Sequence, residues 1–427
     1  MAAHIPFVNT QRDCDVVKRH YGDSQVIRIS LGSVSDVKGR LGGNMDLWID
    51  PAIDAYHLIL TTNWPVRILE LSPREIKEAW PVDEEGKKKE TMKLRTWENW
   101  YRVFGKFEGH RVLGSSKLWK KEHVGELVKF VEDVLNECLQ HDPAWVTVPQ
   151  LPLTDKKERQ KVNTQLAEAT SNWKSTVGFR GKLILPVIFT NQRQLNQKPI
   201  RDDKLNHAID CYKKVGADGV WIVDSTLLDQ NRSESFGKRY SKLIEFHSLA
   251  KAMFPKGTLV IAGPYWGMGL LLWARDLCDF PAVSLGTSYA YYISCGATKQ
   301  GRVRLAIPPL RRWAVAQGLR GWLRDCARRL SPTDPFQRDF AYLLEKFDLL
   351  RDRDAAAMQI AEFQKKWFEK IETVPQAGRA LALYQDLSAA FVLGRQLPLL
   401  PQSTLPNSPS TILEAGKVAE QLMLKCL

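Results

Sequence analysis

Gly216-Ala-Asp-Gly-Val-Trp-Ile-Val-Asp224 decides the fold class. Gly216 offers the left-handed end of a preceding helix, and Gly219 the tight entry into a buried strand, Val220–Val223. Asp218 falls on the entry side, where its role is structural. Asp224 falls at the exit, the end of a parallel barrel strand at which chemistry resides.

Working outward, short apolar runs with many β-branched residues alternate with stretches of helical spacing. Strands are expected at Gln25–Leu31, Asp46–Ile49, Val66–Leu71, Trp145–Val148, Leu183–Phe189, Gly219–Val223, Leu259–Ala262 and Ala282–Leu285. Helices are expected at Val124–Gln140, Lys156–Ser175, Asp203–Val215, Ser235–Phe254 and Met268–Leu277. Strands alternating with helices predict parallel βα units. About eight units in about 300 residues predict an α/β fold, a (β/α)8 TIM-like barrel.

After Pro308-Pro309 the spacing turns helical, over Arg311–Leu330, Pro335–Ile371 and Gln376–Leu393. The expected division is a barrel domain over 1–310, with a basic aromatic insertion at 81–123, and a C-terminal helical module over 311–427. Within the module, Leu397–Ser410 reads as a Pro/Ser strap before a last helix, Thr411–Leu424.

The formal charge of +13 is concentrated in two segments. Lys87–His123 holds 11 Lys/Arg against 4 Asp/Glu, and Arg302–Arg329 holds 8 Arg against Asp325, a net of +7 in each. Concentrated cations suit a polyanion groove, whereas a solvated basic face is the simpler alternative. The expected partner is nucleic acid, DNA ahead of RNA.

The 7 cysteines are scattered and never spaced C-x-x-C, so neither structural zinc nor a disulfide framework is expected. The start, Met1–Thr10, lacks a signal-peptide pattern, and no run is long enough to span a bilayer; a cytoplasmic protein with no membrane partner is expected. No nucleotide, zincin or nucleophile-elbow motif occurs, and no cofactor or metal is expected.

The strand ends supply the candidate site. Asp50 and Asp224 are the expected catalytic carboxylates, one stabilising a cationic sugar and the other handling water or the leaving group. Asp54, Gln150, Asn191, Gln192, Tyr265, Trp266 and Tyr289 are expected to line or read the substrate. Each has a plainer alternative: Asp50 before Pro51 and Asp224 before Ser225 suit helix caps, and the amides suit loop hydrogen bonds. Gly263-Pro-Tyr-Trp-Gly-Met-Gly269 offers either a phosphate cradle with a stacking wall or a tight turn with buried rings.

In the insertion, Arg95, Trp97, Trp100, Arg102 and Lys106 alternate charge with ring, expected as a two-stranded arm that holds phosphates and stacks on bases. The alternative is an arm whose rings pack on the barrel. Arg302, Arg304, Arg311 and Arg312 form the second expected phosphate-binding set.

A basic barrel with these strand-end carboxylates resembles the tRNA-guanine transglycosylase superfamily and its DNA-acting branch, over about Gln25 to Leu310. The resemblance places Asp50 at the early active-site aspartate and Leu183–Gln192 at the strand whose end reads the base with an amide. The family's zinc cysteines are absent, and Asp279-Phe-Pro-Ala-Val283 puts its carboxylate before the strand rather than after it. The DNA-acting relatives include phage-defence glycosylases that excise modified bases, so the resemblance implies a DNA glycosylase acting on a flipped base. Base exchange, hydrolysis of a small phosphorylated or sugar substrate, and non-catalytic nucleic-acid binding are the competing expectations.

Overall fold

Eight parallel strands close on themselves in chain order in the computed structural model. They are β1 (Ile5–Val8), β2 (Val26–Ser30), β3 (Asp46–Asp50), β4 (Trp145–Thr147), β5 (Lys182–Phe189), β6 (Gly219–Asp224), β7 (Leu259–Ala262) and β8 (Phe280–Ser284). β8 pairs with β1 through Ala282 opposite Ile5 and Ser284 opposite Phe7, which seals the ring. The described residues are 4–22, 25–42, 45–61, 72–88, 91–114, 120–154, 156–190, 197–225, 236–265, 268–285 and 303–401.

The (β/α)8 expectation holds, with one strand reassigned. Val66–Leu71 lies outside the described residues, and the ring closes without it because Trp48 of β3 pairs directly with Trp145 of β4. The additional strand is β1, four residues including Pro6, too short to show a period of its own. Gly216 caps the helix Lys198–Val215 at φ +61°, as its position before β6 requires. On the entry side, Asp218 Oδ2 accepts the Leu183 N–H at 2.9 Å and Asp279 Oδ2 accepts the Val260 N–H at 2.7 Å. Both aspartates stitch neighbouring strands.

Large rings fill the lumen. Trp48 meets Phe7 and Trp221 edge-on at 5.8 and 5.5 Å, and Trp145 lies 6.2 Å from Trp48. Buried indole N–H groups need acceptors; Trp48 donates to Thr147 Oγ1 at 2.8 Å and Trp221 to the Gly263 carbonyl at 2.6 Å. A second, larger core lies between the strands and the surrounding helices.

The insertion lies between β3 and β4, and its described aromatic stretch is a helix instead of a two-stranded arm, with a single antiparallel bridge, Val82 to Lys88, before it. The reason is periodicity: Leu94, Trp97, Tyr101 and Phe104 recur at i, i+3, i+7 and i+10, one face of the helix Thr91–Phe104. Phe104 stacks on Tyr56 at 4.5 Å and meets Phe130 of the helix Val124–Leu139 at 6.0 Å.

The C-terminal part also departs from an all-helical reading. β9 (Arg304–Ile307) and β10 (Arg312–Val315) form an antiparallel pair around Pro308–Leu310, so the first helix starts at Leu319 instead of Arg311. Phe363, Trp367, Phe368 and Ile371 of the helix Arg353–Glu372 join the main barrel core, and Phe368 stacks on His4 at 4.3 Å. This helix packs beside Gln11–His20 and bridges the expected boundary at 310/311. Thr411–Leu424 lies outside the described residues.

Candidate active site

All eight strands of a parallel barrel end on one rim, and side chains alternate between lumen and helix shell. Trp48 points into the lumen core, so Asp50, two residues on, shares its face. Asp50 is only 1% exposed. Its Oδ2 accepts from Nη2 of Arg28, a lumen-facing residue of β2, and its Oδ1 accepts the Ala52 N–H at 3.0 Å. Ala52 adopts φ +53°, an uncommon value for a residue with a Cβ, to make that turn. Asp50 therefore holds the turn into the helix Ile53–Thr61 as well as the ion pair.

Arg28 lies over the aromatic floor, its guanidinium carbon 4.6 Å from the Phe7 ring centre and 5.4 Å from that of Trp221. Nη1 reaches Asn9 Oδ1 at 3.4 Å, and Nε has no hydrogen-bond partner. Among the described residues, this buried ion pair with an unspent donor at the exit end of the barrel is the charged feature of the lumen. Sequence reasoning missed Arg28. The available signal was a lone cation inside Val-Ile-Arg-Ile-Ser, a run otherwise suited to burial.

Asp224 ends β6 on the other face. Trp221 and Val223 belong to the lumen core, while Val220 and Ile222 belong to the outer core, and alternation puts Asp224 with the latter. Its register partner, Phe189, packs edge-on against Phe246 of the helix Phe236–Met253 at 4.9 Å. The Asp224 N–H donates to Tyr265 Oη at 2.8 Å, Tyr265 donates to the Ile222 carbonyl at 3.2 Å, and His247 Nε2 lies 3.1 Å from the same oxygen. Burial, then the charge of Asp224, pushes the Tyr265 hydroxyl well up, and burial lowers His247 to about 3. Asp50 and Asp224 share the rim but face different spaces, with the strand wall between them.

The other expected substrate residues divide similarly. Gln150 is buried and donates to the Asn163 carbonyl at 2.9 Å, while Asn163 clasps Leu151 through both its amide groups. Gln150 thus fixes the loop after β4. Asp54 is buried in the first turn of Ile53–Thr61, one turn before His57. His57 Nδ1 is 2.5 Å from the Leu113 carbonyl and anchors the insertion; burial lowers it to about 4. Tyr265 is buried in the network just described. Asn191, Gln192, Trp266 and Tyr289 lie outside the described residues.

The cationic set is largely engaged within the protein. Trp97 is 1% exposed, and Trp100 is half-buried against Tyr56 and Phe104, so the rings serve packing. Arg102 is exposed, with Asp36 at 3.7 Å; Lys106 is exposed and pairs with Glu137 at 2.6 Å. Arg311 grips Asp386 with two bonds of 2.6 and 2.8 Å, and Trp367 Nε1 donates to the same carboxylate at 2.9 Å. Burial pushes Asp386 up, but Arg311 and Lys370 outweigh it and hold the carboxyl below its ordinary value. Arg304 and Arg312 are half-buried on β9 and β10. Arg302 and the Arg95 side chain lie outside the described residues.

No protein-family model matches this chain, and no curated protein matches its sequence. Among the described residues, no three His, Cys, Asp or Glu side chains gather as a metal site, and no helix is long and apolar enough to cross a membrane.

Proposed function

We propose that the chain is a barrel enzyme that cleaves the N-glycosidic bond of a nucleobase in nucleic acid, as a DNA glycosylase, with Asp50 as its reacting carboxylate. The observation that carries this reading is the Asp50–Arg28 pair on the lumen face at the exit end of β2 and β3. Cations of the two basic segments that stay exposed, Arg102 among them, support a polyanionic substrate. The target nucleotide leaves the stack and enters the mouth, since its glycosidic bond is inaccessible within a duplex. As the C1′–N bond breaks, positive charge develops on the sugar, and a fixed carboxylate stabilises it. Asp50 also accepts a proton of the attacking water, whose hydroxyl bonds to C1′; the departing base nitrogen takes a proton from solvent water, and Asp50 returns its own to solvent. Arg28 and the Ala52 N–H hold the carboxylate in place. Asp224 supports the rim through Tyr265 and is not assigned a proton.

A second reading is favoured by a specific observation: Trp97 is buried and Lys106 and Arg311 are paired, which suits a barrel hydrolase of a small sugar or phosphorylated substrate. Incubation with modified and unmodified DNA, followed by mass spectrometry of released bases, separates the two. Free base that disappears with Asp50→Asn supports the glycosylase. Intact nucleosides across the panel, with no mobility shift at low salt, overturn it in favour of the second reading.

A further inference from the structure

Away from the mouth, a groove of about 580 Å3 runs along the helix Arg353–Glu372, between Gln11–His20 and Pro335–Glu345. Its lining from Ala355 to Lys370 spans 15 residue steps, about 22 Å at 1.5 Å per residue. The two ends differ in chemistry. Leu349, Leu350, Ala355 and Met358 line the first part, with Tyr342 and Phe363 midway; Lys366, Lys370 and Arg311 line the last part, with Arg19 on the wall.

Two of the apolar side chains are left in water, Leu349 at 64% and Tyr342 at 55% exposure. An aliphatic surface in a concave site marks a place for an apolar body. Arg19 is exposed, and its charge acts on Glu362 of the groove without a contact as close as 4 Å. Lys366 meets Glu362 at 2.7 Å as a solvent-exposed i,i+4 pair, a weak kind of contact that another anion can displace. Arg311 and Lys370 share the carboxylate of Asp386, so the excess cation of the groove comes from Arg19 and Lys366, which share Glu362. The remaining carboxylate, Asp339, lies towards Arg311.

We propose that this groove binds an amphipathic anion: an aliphatic chain in the apolar half, ending in a carboxylate or phosphate held by Arg19 and Lys366. A neutral alkyl ligand leaves the cations unused, and a compact anion leaves Leu349, Tyr342 and Met358 wet. The inference is independent of the chemistry assigned to Asp50.

Calorimetric titration of the full chain with decanoate, decyl phosphate and 1-decanol tests it. The two anions bind and the alcohol binds at least tenfold more weakly. Arg19→Gln with Lys366→Gln weakens the anions about tenfold and leaves the alcohol unchanged, while Met358→Glu removes binding of all three. Both variants are compared at equal thermal stability; the Arg19/Lys366 pair is solvent-exposed and keeps the test valid should Met358→Glu unfold. Preference between decanoate and decyl phosphate identifies the head group. No heat from either anion, equal binding of decanol, or indifference to the loss of both cations overturns the proposal.

Discussion

Arg28 sits two residues before the β2 position opposite Asp50, and its guanidinium reaches across to that carboxylate inside the barrel. The pair is buried on both sides, with 5% and 1% of the side chains exposed. Removing one member of such a pair strands the other, typically at about 3–5 kcal/mol, whereas replacing both with apolar groups is often neutral. Asp50→Ala is expected to lose about that much in urea denaturation, and Arg28→Met with Asp50→Leu to regain most of it without regaining base release. A double variant no more stable than Asp50→Ala shows that the two residues are not coupled.

Tyr265 ties β6, β7 and the helix Phe236–Met253 through one hydroxyl. Tyr265→Phe leaves the buried Asp224 N–H without its acceptor, an expected loss of about 1–3 kcal/mol. Because Asp224 lies on the helix side of the wall, Asp224→Asn is expected to keep base release near the parent rate. Loss of turnover in a stably folded Asp224→Asn protein places that carboxylate in the reaction with Asp50.

Arg311 and Arg102 belong to the two basic segments but do different work. Arg311→Ala leaves the buried Asp386 short of its two-bond partner and is expected to cost about 1.5–3 kcal/mol in thermal or urea unfolding. Arg102→Ala, at an exposed site, is expected to stay within about 0.5 kcal/mol. If Arg102 meets a phosphate, the same variant lowers the salt slope of DNA binding by about one. An unchanged slope removes Arg102 from the interface.

Four buried or half-buried histidines are held neutral mainly by desolvation: His4 and His247 are lowered to about 3, and His57 and His110 to about 4. Their folded values lie below the unfolded value near 6.5, so between these limits the unfolded chain binds more protons. Stability is fully present above about pH 6.5 and falls as the pH drops towards about 3–4. Urea midpoints at pH 7, 6, 5 and 4.5 are expected to decline monotonically. A midpoint flat down to pH 4.5 shows that these rings are not protected from protonation.

Much of the barrel was legible because its signals are local. The apolar run Val220–Val223, the left-handed Gly216 and the helical spacing of Val124–Leu139 each lie within one element. β1 was not legible, since four residues with a proline show no alternation, and only pairing with β2 and β8 makes them a strand. The rings of Thr91–Phe104 carried a helical period, but the alternation of charge with aromatic pointed towards an arm.

The strand–helix rhythm, the entry-side place of Asp218 and the concentration of charge are all local properties of the chain. Tertiary structure alone decided which carboxylate faces the lumen. Val220-Trp-Ile-Val is apolar on both faces, so nothing in the run says which parity points inward, and that parity separates Asp224 from Asp50. It also decided which cations are spent: Arg311 meets Asp386 across 75 residues of chain, a neutralisation that no local reading of charge can register.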